Sequence, residues 1–269
     1  MNMRLENKVI IVTGSTTGIG KAIALKAISE GAKLVIHGLE ADNSHEVLQA
    51  AGADRAVMQL EDISKDGAPQ RLVGLAIKKF GKLDAVVNNA ATVVSSSIHT
   101  TDLPFFEKVL AVNLLAPFAL IKAALPHLTA THGCVLNIGS VNAYSGEPNL
   151  FAYSVSKGAL MTMTRNLGDT LHRENGVRVN QVNPGWVLTE TEIRRKQDHG
   201  LASDWYTGIP AVYAPAGRIL LPQEIAAACI YWLSDECGPV SGQVVDLEQH
   251  PFIGRNPPKD ISTIPTPVK

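Results

Sequence analysis

Tyr153 and Lys157 stand four residues apart in a segment of helical character, so their side chains share one face. That pairing suits proton transfer. A phenol with an unperturbed pKa of about 10 gives up its proton sluggishly and is seldom ionised at neutral pH. A neighbouring ammonium stabilises the phenolate and lowers that pKa. Ser140 directly follows the apolar run Cys134 to Gly139, and its hydroxyl could hold a substrate oxygen and share developing charge. A third feature lies near the start, where Thr13-Gly14-Ser15-Thr16-Thr17-Gly18-Ile19-Gly20 follows a β-branched apolar run. Glycines there permit a tight turn and let a pyrophosphate approach the backbone. The helix beyond adds free N–H groups and a positive dipole end. Singly, each feature has an ordinary explanation: a connecting turn, a turn serine, a helix-surface pair. Together they form a complete set for moving hydride to or from a carbonyl while a proton reaches the alkoxide.

The elements that must position this set alternate along the chain. Strands are expected at Val9 to Thr13, Leu34 to Ile36, Ala56 to Leu60, Ala85 to Asn88, Cys134 to Ile138, Val177 to Val182 and Gln243 to Leu247. Helices are expected from Gly18 to Glu30, stopped by Gly31, and from a Ser64 cap to Phe80. Others follow at Phe105 to Leu128, with Pro117 marking a bend or break, at Tyr153 to His172, and after Pro222. Such alternation implies an α/β fold: a doubly wound, Rossmann-type parallel sheet of about seven strands, flanked by helices on both faces. One domain over 1–250 includes the site, and a proline-rich tail covers 251–269. Leu188 to Ala216 has no clean periodicity and reads as a mobile lid.

A formal net charge of −1 gives no general attraction to nucleic acid or anionic membrane. The compact basic run Arg194-Arg195-Lys196 reads as a solvated helix face. Cys134, Cys229 and Cys237 lack metal-ligand spacing, so no metal is expected, and sparse thiols suit a reducing compartment. The polar start and the absence of an uninterrupted apolar run of membrane-spanning length give the expectation of a soluble, cytoplasmic protein.

The sequence resembles the short-chain dehydrogenase/reductase family from about Leu5 to Leu247. The matching motifs are the glycine loop, Asn88-Asn-Ala-Ala91, Asn113, Ser140, Tyr153-Ser-Val-Ser-Lys157 and Pro184-Gly-Trp-Val-Leu-Thr189. The resemblance implies Tyr153 as general acid/base, Lys157 as pKa depressor and ribose ligand, and Ser140 as holder of the substrate oxygen. It gives Asn113 a role as anchor of a proton-relay water; alone, Asn113 is a polar residue interrupting a helix. It implies cofactor contacts at Gly14, Ser15, Thr16, Thr17, Gly18, Ile19, Gly20, Ile63, Asn89, Ala90, Ala91, Pro184 and Gly185. Val187 would meet the carboxamide and Thr189 the phosphates. Asp62 reads as a helix-capping acid or, by the resemblance, as an adenine contact, and Asn88 as a structural tie. Two departures stand out: Ala91 replaces the usual glycine, and Leu247-Glu248 follows Val245-Asp246 where the family has a glycine pair.

The residues after the second strand, Gly38 and Leu39, present neither the carboxylate that binds a ribose 2′-OH nor the arginine that accepts a 2′-phosphate. Glu40 nearby would repel a phosphate, so NAD is expected, with NADP possible through His37. Asn142, Glu147, Asn149 and Trp186, with Trp205 or Tyr206 from the lid, are expected to face a small alcohol or carbonyl substrate, such as a polyol, sugar or hydroxy acid. The alternatives are a 3-oxoacyl thioester reductase and a non-catalytic nucleotide-binding scaffold. Apolar surface on the helix from Tyr153 and pairing of long helices in the family imply a homotetramer or homodimer. The tail beyond Pro251 is expected to be extended, docking on a neighbouring subunit.

Overall fold

The computed structural model describes residues 3–39 and 44–251. Glu40 and the tail beyond Pro251 therefore lie outside the described residues. Seven strands form one parallel sheet: β1 Val9–Val12, β2 Lys33–Gly38, β3 Ala56–Leu60, β4 Ala85–Asn88, β5 Cys134–Ile138, β6 Arg178–Pro184 and β7 Val244–Leu247. Their order is β3-β2-β1-β4-β5-β6-β7. The chain reverses direction across the sheet between β1 and β4, and a crevice opens there beyond the carboxyl ends of the strands.

Strand residues alternate between two apolar layers, which is why the runs read as continuously hydrophobic. Ile10, Val12, Leu34, Ile36, Val87 and Leu136 face one layer, packed by α1 (Gly18–Ser29), α2 (His45–Ala51) and α8 (Pro222–Leu233). Val9, Ile11, Val35, Val86, Val135 and Val179 face the other, packed by α3 (Ala68–Phe80), α5 (Ala116–Thr131) and α6 (Phe151–Asn175). The doubly wound fold expected from the alternation is the fold observed.

Three details differ from the sequence expectations. Ser64 caps no helix: α3 starts at Ala68 behind Gly67, whose left-handed backbone (φ 75°) suits glycine. Pro117 does not break its helix. It sits in the first turn of α5, directly after a π-helical turn, Ala111–Leu115, which continues α4 (Leu103–Leu110). The resulting helix Leu103–Thr131 is long and apolar enough to cross a membrane by length and composition, though Glu107, Lys108, Asn113 and Lys122 interrupt its apolar run. Its Leu120, Ile121, Ala124 and Leu128 are nonetheless spent on the sheet layer. Finally, the segment read as an unpatterned lid contains α7 (Glu190–Asp198), a helix without one buried residue. Thr189 caps it, with acidic residues in the first turn and basic ones in the last, so polar end effects form it rather than a buried stripe.

Candidate active site

Beneath the site runs a chain of buried polar side chains. Asn88 Nδ2 on β4 donates to Asn137 Oδ1 on β5 (2.8 Å), and Asn137 Nδ2 donates to the Thr164 hydroxyl on α6 (2.8 Å). Thr164 donates to Gln181 Oε1 (2.8 Å), Gln181 Nε2 to Asn183 Oδ1 (2.7 Å), and that same oxygen accepts the Ser140 N–H (3.1 Å). Burial is tolerable because each group has a partner. Asn88 thus is a structural tie, as expected. The ladder holds the backbone of Ser140 from below, and a Cβ on the preceding Gly139 would lie 2.0 Å from Asn183 Oδ1.

Ser140 Oγ accepts the Asn142 N–H (3.2 Å), which leaves its own proton free to be donated. The Tyr153 hydroxyl lies near enough to Ser140 for the serine to favour its ionised form. Lys157, one turn along α6, lies with Nζ 5.6 Å from the Tyr153 ring centre and donates to the Ile138 carbonyl (2.7 Å). The expectation that Lys157 depresses the Tyr153 pKa is not met in this arrangement. Burial outweighs the pull of Ser140 and of the Arg195 charge, and pushes the phenol up to about 12. Burial likewise brings the Lys157 ammonium down to about 8.

Asn113 lies in the π-helical turn with its side chain fully engaged. Oδ1 accepts the Thr92 N–H (2.7 Å), while Nδ2 donates to the Thr92 carbonyl (3.0 Å) and the Ser156 hydroxyl (3.0 Å). Ser156 in turn donates to the Tyr153 carbonyl (2.6 Å), so Asn113 ties the loop after β4 to the catalytic helix. With its side chain so engaged, any water anchored by Asn113 would have to be held by the main chain.

The glycine loop has the expected shape. Gly14 and Gly18 adopt positive φ (62° and 54°), and a Cβ at Gly20 would fall 2.2 Å from the Gly14 carbonyl oxygen. Thr13 Oγ1 accepts the N–H groups of Asn89 (2.9 Å) and Ala90 (3.1 Å), and Asn89 Nδ2 donates to the Thr13 carbonyl (2.9 Å). The Asn89 side chain is therefore also a tie. Buried His37 is another, accepting the Gly14 N–H at Nδ1 (3.2 Å), with Nε2 3.0 Å from the Glu61 carbonyl. Desolvation lowers its pKa, so the neutral ring is favoured and both nitrogens are engaged. It is not available to a cofactor phosphate. Asp62 accepts the Ser64 N–H and hydroxyl (2.9 and 2.7 Å) in a local turn and caps no helix.

These parts meet along a cleft of about 1370 Å³, room for a dinucleotide beside a small substrate. Its walls include Gly14, Thr16, Thr17, Gly18, Ile19, Gly38, Leu39, Asp62, Ile63, Asn89, Ala90, Ala91, Ser140, Asn142, Glu147, Tyr153, Lys157, Pro184, Gly185, Trp186, Val187 and Thr189. Ser15, Gly20, Asn113 and Asn149 stand outside the lining. Ser15 and Gly20 shape the loop from behind, while Asn149 is exposed and its carbonyl accepts the Ser96 N–H. Trp205 and Tyr206 also stand back, although Trp205 stacks on Trp186 at 5.3 Å. The Thr189 methyl would meet a Cβ on Gly18 at 3.3 Å, so the N-termini of α1 and α7 converge where an anionic pyrophosphate would gain from both dipoles. Cradle, converging dipoles and cleft size fit a dinucleotide cofactor.

Two features were not legible as site residues. The run read as a solvated face contributes Arg195, whose side chain is only 15% exposed on the cleft wall. Glu248, in the place of a family glycine, accepts the Trp186 N–H (2.9 Å) and lines the cleft beside Gly185. The capping pattern Thr189-x-x-Glu192 would have exposed the first. Nothing local marked the second.

A sequence model of the enoyl-(acyl carrier protein) reductase family matches residues 14–248. The 2-(S)-hydroxypropyl-CoM dehydrogenase 3 of Xanthobacter autotrophicus is 35% identical over 90% of this chain and 95% of its own length. The NADP-dependent (R)-specific alcohol dehydrogenase of Lentilactobacillus kefiri is 33% identical over 88% and 93%. The L-sorbose reductase of Gluconobacter frateurii, solved with NADPH and L-sorbose, superposes with a TM-score of 0.85 at 25% identity, covering 92% of this chain and 97% of that one. With the serine, tyrosine and lysine gathered at one wall and the glycine cradle at the other, the chain belongs to the short-chain dehydrogenase/reductase family of NAD(P)-dependent oxidoreductases.

Proposed function

We propose that this protein interconverts a small secondary alcohol and its ketone using NAD, with Tyr153 as acid/base. The observation that carries the reading is the placing of Ser140, Tyr153 and Lys157 together on the cleft that ends in the glycine cradle, with Lys157 Nζ 5.6 Å from the Tyr153 ring centre. When bound, the nicotinamide supplies or accepts the hydride. In reduction, the substrate oxygen lies between Ser140 and Tyr153. Ser140 donates a hydrogen bond to it, and Tyr153, protonated at neutral pH, delivers the proton as negative charge develops. Lys157 would hold the cofactor ribose. The Asn113 main chain anchors the water that returns the proton.

Relatives named for an alcohol, a 2-(S)-hydroxypropyl compound and L-sorbose support a hydroxyl-bearing substrate of the polyol, sugar or hydroxy-acid kind. Two of those names carry NADP or NADPH, but here Gly38 and Leu39 offer a 2′-phosphate no cation, and His37 is engaged elsewhere. These features favour NAD. The test is reduction of NAD and NADP by a panel of secondary alcohols, polyols and sugars. Turnover abolished by Tyr153→Phe supports the reading, and no turnover with any member overturns it.

A further inference from the structure

Five buried side-chain polar atoms among the described residues have no hydrogen-bond partner: Thr101 Oγ1, Ser154 Oγ, His172 Nδ1, Trp205 Nε1 and Arg195 Nη1. Arg195 is the one of the five residues that lines the catalytic cleft. It is also the one that bears a permanent charge, because a guanidinium has no acceptor and keeps its protons. A buried cationic donor without an acceptor is costly, and its presence in a site asks what accepts from it.

The rest of the guanidinium is fixed. Nε and Nη2 donate to Glu192 Oε2 and Oε1 (2.8 and 3.0 Å), leaving Nη1 on the opposite edge. Glu192 is itself held by the Trp186 indole N–H (2.8 Å), and Trp186 lies between the Trp205 ring at 5.3 Å and Lys196 Nζ at 5.1 Å. One carboxylate thus serves two cations, Arg195 and, at 4.0 Å, Lys196, so the cluster retains one positive charge. Glu147 also acts on Arg195 but is solvent-exposed, so its pull is screened. Arg195 is close enough for its charge to act on the Tyr153 hydroxyl.

We propose that Arg195 is the anion receptor of the substrate site: Nη1 takes a carboxylate oxygen of a short-chain hydroxy acid whose carbinol carbon lies at Ser140 and Tyr153. This rests on the dehydrogenase reading and narrows its substrate to an acid. Glu192 and Trp186 set the angle at which the arginine presents its free edge, and planar pairing makes lysine a poor substitute.

The experiment compares 2-hydroxybutyrate, 3-hydroxybutyrate and 4-hydroxypentanoate, which vary the spacing from carboxylate to carbinol, each with its neutral amide. Rates are measured with NAD for wild type, Arg195→Gln and Arg195→Lys. Binding of the same six compounds is measured by calorimetry on NAD-loaded Tyr153→Phe protein, with and without Arg195→Gln. At least one acid is expected to exceed its amide by about tenfold or more in kcat/KM and in affinity. Arg195→Gln should remove most of that ratio, mainly through KM, and Arg195→Lys should restore part of it. Acid and amide handled alike by wild type, or a ratio unchanged in Arg195→Gln, would overturn the proposal. Turnover of the amides alone would leave the dehydrogenase reading standing without it. Acid binding lost in Arg195→Gln, with no turnover of any compound, would uphold the receptor and sink the dehydrogenase reading.

Discussion

Replacing Thr164 by valine tests whether the buried ladder holds the catalytic serine. The two side chains are nearly the same size, so the change deletes a hydroxyl and little else. In the structure that hydroxyl accepts from Asn137 Nδ2 and donates to Gln181 Oε1, and Thr164 is fully buried. Two polar groups then lose their partners at about 1–3 kcal/mol each, offset by about 1 kcal/mol for the added apolar group, a net loss of roughly 1–5 kcal/mol. For a domain of this size that is a fall in Tm of roughly 2–20 °C. Thr164→Ser keeps the hydroxyl and should cost only about 1 kcal/mol for the missing methyl. Because the ladder ends on the Ser140 N–H, kcat should also fall in the valine variant while the Kd for cofactor changes little. Scanning calorimetry and steady-state kinetics on the two variants make the comparison. A valine variant as stable and as active as the serine variant would refute the reasoning.

Three further outcomes follow from the same geometry. Lys157 holds its proton less tightly in the folded chain (about 8) than its ordinary 10.5, so the unfolded chain binds more protons between those values and stability gains as pH rises through that window. Lys157→Met lacks this gain. Its stability relative to wild type should therefore be most favourable at pH 7 and decline toward pH 10, by at most about 1.4 kcal/mol per pH unit in urea titrations; a constant difference would contradict the burial of the charge. Leu39→Arg puts a guanidinium beside Gly38 at the cleft's adenosine end, where Leu39 is 71% exposed and free to change. The kcat/KM ratio of NADP to NAD should rise about tenfold or more, and an unchanged ratio would place the 2′ position elsewhere. Leu103, Leu115, Phe118 and Val155 expose apolar surface on α4, α5, α6 and the π-helical turn, so light scattering at micromolar concentration should give a dimer or tetramer and not a monomer.

The sheet was legible because strands buried on both faces must read as apolar runs: β1 is unbroken, and β4 and β5 are interrupted only by Asn88 and Asn137 of the polar ladder. Most helices that pack on it announced themselves by spacing and by glycine stops, but α2, two turns long, is too short to show a period and was not expected. Elements formed by polar effects escaped as well. α7 buries nothing, so hydrophobic periodicity could not reveal it, whereas its Thr189 cap and charge gradient could. The catalytic set was legible as residue types at recurring spacings. The roles of supporting residues were less so, because they depend on partners far along the chain. His37 meets Gly14 and Glu61, Glu248 meets Trp186, and the Asn113 side chain meets Thr92 and Ser156. The tyrosine shows a similar limit: spacing brought Lys157 near it, but the cost of burying the phenol, which decides the pKa, depends on everything packed around it.

The central claim is that the Tyr153 hydroxyl moves the proton that accompanies hydride transfer. Tyr153→Phe keeps the ring and removes the hydroxyl, so its most direct test is single-turnover hydride transfer between NAD and an alcohol that wild type oxidises, followed at the 340 nm absorbance of the reduced cofactor. The expected result is a rate reduced by at least about 10²-fold with cofactor Kd within about threefold of wild type. Transfer in the phenylalanine variant at most of the wild-type rate would contradict the account.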